Sequence, residues 1–137
     1  MTSITVGQEI PTFAREAGFH AWNRYAAVNH EFVPIHMDDE AGKAAGYPGA
    51  FGMGNLQWSW LHCMLRDWLD AIGGGRIVSL AVQFRGPSLK GFTVSAHGVV
   101  TGMRDEGDEQ LVDLEVWTQV DDGTRLAPGT ATVAVPR

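Results

Sequence analysis

Asn55-Leu-Gln-Trp-Ser-Trp-Leu-His-Cys-Met-Leu-Arg-Asp-Trp-Leu-Asp-Ala-Ile72 is the stretch on which the fold turns. At roughly 100° per residue, its Leu, Ile, Met, Trp and Cys side chains, from Leu56 and Trp58 to Leu69 and Ile72, cover most of a helix's circumference. Only Ser59, His62, Arg66 and Asp70 form a polar stripe. A helix apolar nearly all round is a buried one, so the rest of the chain has to be built around it. Asn55 suits its N-cap, and Gly73-Gly74-Gly75 suits its end.

Beyond those glycines the hydrophobic period drops to two. Residues 77–85 alternate, with Leu80, Val82 and Phe84 on one face, and residues 93–101 alternate with Val94, Ala96 and Val100 inside. Val112, Leu114, Val116 and Val120 mark a third strand, and Ala131, Val133 and Val135 a fourth. Turns fall at 85–91, at 104–109 and at Asp121-Asp122-Gly123, the last a good hairpin signal. Four sequential strands with short connections predict an antiparallel sheet, curled around the helix in an α+β fold. Before the helix, residues 12–15 read as a short strand and residues 20–28 as a helix burying Trp22, Tyr25, Ala26 and Val28. Residues 38–45 read as a short helix closed at Gly46, and Tyr47-Pro48-Gly49 as a turn.

Between these elements lies Glu31-Phe32-Val33-Pro34-Ile35-His36. On an unbroken helix, five residues would leave Glu31 and His36 about 140° apart. Pro34 forbids that helix, having no N–H and pushing Val33 to an extended conformation. His36 is therefore expected after a loop, where Glu31 and His36 can converge as an acid/base pair for activating water. Gly52-Met53-Gly54-Asn55 then leads into the long helix, whose free N–H groups can hold an oxygen that gains negative charge. Gly54 lets a substrate approach the backbone. The same residues also read as a loop before an ordinary capped helix.

Composition bounds the alternatives. The 137 residues suffice for one domain, 1–137, with no repeat or linker to divide it. A net charge of −6 argues against nucleic-acid binding, and the ten Lys and Arg are scattered. No apolar run reaches the roughly 18 residues that span a bilayer, and the N-terminal Met1-Thr-Ser-Ile-Thr-Val-Gly lacks the features of a leader. One Cys leaves no disulfide framework, so a cytoplasmic location is expected, with Cys63 an inert core thiol. The His residues lack ligand spacing, and Gly49, Gly52 and Gly54 make no dinucleotide fingerprint; neither metal nor cofactor is expected.

Tyr25-Ala-Ala-Val-Asn-His-Glu-Phe-Val-Pro-Ile-His36-Met-Asp-Asp-Glu-Ala41, with Gly46-Tyr-Pro-Gly49, Gly54 and Phe84-Arg-Gly-Pro87, resembles the MaoC-like hydratases and dehydratases, which include (R)-specific enoyl-CoA hydratases. The resemblance covers nearly the whole chain. It implies the hot-dog fold and reversible addition of water across the 2,3 double bond of an acyl thioester. His36 matches the family's histidine, Pro34 its proline, and Gly54 the glycine whose N–H holds the thioester oxygen. Glu31 stands at the aspartate's position, Val33 at an asparagine's, and Met53 at that of a histidine often found there.

The resemblance implies catalytic Glu31, His36 and Gly54, with an acyl-CoA or acyl-carrier thioester as substrate. Phe51, Asn55 and Trp58 are candidates for contact with it; aromatic residues at helical spacing also read as core. Two other readings stay open: a non-catalytic subunit supporting an active homologue, and a thioesterase or acyl-thioester binding module on the same fold. A curled sheet with open edges predicts a homodimer or larger homo-oligomer.

Overall fold

The computed structural model describes residues 3–137; Met1 and Thr2, the start of the stretch read against a leader, lie outside them. The chain runs β1 (Phe13–Glu16), α1 (Phe19–Asn29), α2 (Pro34–Met37), α3 (Asp39–Ala44), α4 (Gly54–Ala71), β2 (Arg76–Val82), β3 (Thr93–Glu106), β4 (Glu109–Gln119) and β5 (Arg125–Pro136). The strands form one antiparallel sheet in the order β1-β3-β4-β5-β2. It curls around α4 in the hot-dog arrangement. The sequence expected four strands in the sheet; the 12–15 segment adds a fifth at one edge, paired Phe13↔Ala96 to Glu16↔Thr93. β2 follows α4 directly yet pairs with β5, in register from Arg76↔Ala134 to Val82↔Gly129.

The period-two pattern supplies the inner face. Val94, Ala96 and Val100, then Val112, Leu114 and Val116, then Ala131, Val133 and Val135 are all buried. Leu61, Met64, Leu65, Trp68 and Leu69 of α4 pack on that face. Each such side chain contributes roughly 1.5–3 kcal/mol by leaving water. A second cluster joins α1 to the N-terminal half of α4 through Trp22, Ala26, Met53, Leu56 and Trp60. These two clusters hold α4 from two sides and leave a third side open.

That open side corrects several expectations. Cys63 is exposed and not an inert core thiol, and Trp58 is 39% exposed. The apolar circumference of α4 implies cover all round, but this chain covers only two sides. Val28 also faces outwards, and Phe84 lies beyond the end of β2, where alternation no longer sets its face. Residues 104–106, expected in a turn, continue β3, because Arg104↔Leu111 and Glu106↔Glu109 still pair. The turn contracts to Gly107 and Asp108. No helix of the described residues is long and apolar enough to cross a membrane.

Candidate active site

α1 ends in a left-handed residue, His30 at φ 56°, and the N–H groups of His30 and Glu31 both donate to the Ala26 carbonyl. The chain thereby turns sharply just before Glu31. Val33 is extended (φ −84°, ψ 130°), as a residue before proline should be. Residues 30–33 form the expected loop between α1 and α2, but beyond it His36 is not in open chain. It sits in the one-turn helix α2, which Pro34 opens, since proline is tolerated where the N–H would be unpaired anyway. Val33 has no side-chain group to cap that turn.

His36 is buried, with 7% of its surface exposed, and its Nδ1 lies 2.6 Å from the Phe51 carbonyl oxygen. A carbonyl only accepts, so Nδ1 carries the proton, and a neutral ring keeps its lone pair on Nε2. The two rings also meet edge to face. Phe51 in turn donates its N–H to Ile35 O, and Gly52 donates to Ser88 O at 2.8 Å. The strand-like 51–52 segment is thus clamped between α2 and the loop that precedes β3. Gly52 is required there, because a Cβ would overlap Ser88 Oγ and lie 2.6 Å from Trp22 Nε1.

This clamp delivers the chain to α4. The helix begins at Gly54, with buried Met53 as its N-cap, and no side chain bonds its first N–H groups. Asn55, expected as the cap, is instead inside the first turn; packing of Met53, not a capping bond, fixes where the helix starts. Beside it opens a cleft of about 180 Å³ lined by Phe51, Gly54, Gln57, Phe84 and Arg85 among others. Phe84 covers Gly54, its ring only 3.0 Å from where a Cβ would sit.

Of the residues singled out from sequence, His36, Phe51 and Gly54 are joined through this one segment. Glu31 lies outside it, and no hydrogen bond links it to His36. Its charge instead acts on Tyr25, whose hydroxyl is pushed above its ordinary 10.0 first by burial and then by Glu31. Asn55 and Trp58 do not line the cleft. Trp58 donates its indole N–H to Leu80 O on the edge strand β2, at 3.2 Å.

Two supporting groups escaped the sequence reading. Gln57 is 1% exposed; its Oε1 accepts from Thr118 Oγ1 at 2.6 Å and its Nε2 reaches Gly86 O. Its place outside the polar stripe was the available signal. Asp39 accepts from Ala50 N at 3.0 Å and from Lys90 Nζ at 2.7 Å, tying α3 to the segment that enters the site. The Lys90 bond, then the Ala50 bond, hold its carboxyl below the ordinary 3.8.

A family model described as "MaoC like domain" matches residues 8–122. Among solved structures, an (R)-hydratase from A. caviae involved in PHA biosynthesis superposes with a TM-score of 0.86 at 23% identity, over 99% of this chain and 100% of that one. The MaoC-like dehydratase from Rhodospirillum rubrum gives 0.83 at 20% identity, covering 98% of this chain and 94% of its own. A chain of the ChsH1-ChsH2 complex from Mycobacterium tuberculosis gives 0.83 at 20%, covering 98% and 100%. Among curated proteins, none matches.

Proposed function

The chain belongs to the MaoC-like domain family, and from that premise we propose that it is a hydratase/dehydratase acting on an enoyl thioester, 2-enoyl-CoA to 3-hydroxyacyl-CoA. Glu31 and His36 activate the water that attacks C3, and return a proton to C2. The Gly54 N–H holds the thioester oxygen as it gains enolate character. Phe51, which lines the cleft, is the proposed substrate contact; Asn55 and Trp58, expected beside it, stand outside the cleft. The acyl group is carried by CoA or by an acyl carrier protein, in the cytoplasm, and the working unit is a homo-oligomer of this single domain.

The observation that carries this reading is the bond from His36 Nδ1 to Phe51 O, just ahead of the uncapped start of α4. It leaves an imidazole lone pair available as a base and unpaired helix N–H groups for an oxyanion. The test is hydration of a panel of 2-enoyl-CoA substrates, followed by loss of the conjugated absorbance. Glu31→Asp and Glu31→Gln should both be slower than wild type, with Gln the slower. Misplacing a carboxylate by about 1 Å can cost on the order of 10²-fold. An Asp variant faster than wild type would mark Glu31 as a damaged base, and three equal rates would remove it from the mechanism.

The uncapped start of α2 at Val33 favours one second reading, a non-catalytic subunit beside an active homologue. In that case the wild-type protein is inactive alone, and neither Glu31 substitution changes anything.

A further inference from the structure

Phe84 is 51% exposed, and among the described residues it packs against neither buried cluster. Its backbone, by contrast, is pinned on both sides. Gln83 donates its N–H to Pro128 O at 2.9 Å, and the N–H groups of Arg85 and Gly86 both go to Leu126 O, at 2.8 and 3.1 Å. Leu126 also crowds Gly86, where a Cβ would lie 2.9 Å from its Cδ2, and Gln57 Nε2 reaches Gly86 O. With the chain fixed to the start of β5, the Phe84 ring moves only by turning about its own side-chain torsions.

What the ring touches decides what it does. Its Cγ, Cδ2 and Cδ1 lie 3.0, 3.1 and 3.2 Å from the point where Gly54 would carry a Cβ. Phe84 therefore stands in for the side chain that Gly54 lacks, at the first residue of α4. Elsewhere in the lining of the cleft, Phe51 and Tyr47 support each other at a centroid distance of 4.3 Å, and Phe51 also abuts His36. That part of the wall is braced, whereas the cover over Gly54 is a single ring. An exposed side chain changes rotamer within nanoseconds, far inside a turnover, so the ring's opening sets no rate. It acts instead on what fits beside Gly54.

We infer that Phe84 is a specificity-determining residue of the Gly54 site, selecting acyl thioesters that are unbranched at C2. This rests on the reading that the Gly54 N–H receives the thioester oxygen. An oxygen held there brings its carbonyl carbon up to the ring. Of the two groups on that carbon the sulfur is constant, so only the bulk on C2 varies between substrates. A hydrogen on C2 leaves the ring where it is, packed on Gly54 and on the ligand. A methyl on C2 claims the ring's volume, so a branched ligand binds only with Phe84 turned out and forfeits those contacts.

The test reads binding separately from turnover. Calorimetry compares butanoyl-CoA with 2-methylpropanoyl-CoA, isomers that differ only in branching at C2. Wild type is expected to hold the linear isomer about tenfold tighter, the effect of one methyl in a fitted pocket. Phe84→Ala should bring the two Kd values within about threefold of each other. Phe84→Leu should fall between, and it keeps an apolar contact on Gly54 if the Ala variant does not fold. The kcat/KM values for hydration of 2-butenoyl-CoA and 2-methyl-2-butenoyl-CoA should follow the same order. A wild type that discriminates in binding but hydrates neither compound removes the hydratase reading and leaves the role of Phe84 standing. Hydration with a preference that both variants retain removes the role of Phe84 and leaves the hydratase. Equal wild-type affinities for the two isomers, or no binding of either, also overturn the inference.

Discussion

At His36, removing the ring does two things at once. It takes away the proposed base, and it strips the Phe51 carbonyl of its donor in a site where His36 is 7% exposed. A buried acceptor left unpaired costs about 1–3 kcal/mol, so His36→Ala should lower the melting temperature as well as kcat/KM. From the sequence alone, a loop histidine would be lost without cost to the fold. The kinetic loss is expected to be at least about 10²-fold, as for other positioned proton-transfer groups. Measuring both quantities separates the roles: a stability loss with full activity in the surviving folded protein would make His36 purely structural.

At the scale of elements, α4 and the strands were legible because their periods of 3.6 and two run through long segments. What packs on each side of α4 was not. Its circumference reads as apolar, yet the sheet and α1 cover two sides and leave Trp58 and Cys63 in the open. Gln57 was equally hidden, since its partner Thr118 lies 61 residues away. The start of α4 yields a sharp prediction. Gly54→Ala gains roughly 1 kcal/mol of helix propensity, and the ring it meets, Phe84, is 51% exposed and free to swing aside. Stability should hold or rise slightly, while kcat/KM falls about 10²-fold as the methyl displaces substrate from the N–H. Unchanged kinetics would argue against an oxyanion there. The clasp at Asp39 makes a pH prediction. Its folded pKa lies below 3.8, so its bonds to Lys90 and Ala50 stabilise above that pH and are lost as pH falls through the depressed value. Asp39→Asn should therefore melt below wild type at pH 7, with the gap closing below pH 3.8. A gap that persists into acid would mean the clasp depends on shape and not on charge.

At the scale of the whole molecule, β2 forms one edge of the sheet, and Trp58 takes only its Leu80 carbonyl. Val78 on that strand is 46% exposed, Phe84 lies half open just past its end, and the partly exposed Trp58 reaches it from α4. An unpaired edge with apolar neighbours favours self-association, and light scattering at micromolar concentration should report at least a dimer. A stable monomer would contradict it. The pairing of β2 with β5 has a further consequence, in the order of events during synthesis. β2 leaves the ribosome soon after α4, but the strand segment it pairs with, residues 129–134, follows some fifty residues later. Until then the apolar faces of α4 and β2 have no sheet to close over them. The β3–β4–β5 meander offers the short-range contacts from which folding can start, and α4 has to wait for it. A chain stopped at Gln119 should accordingly lack the cooperative thermal transition of the full protein, and a nascent chain halted there is a natural client for a chaperone.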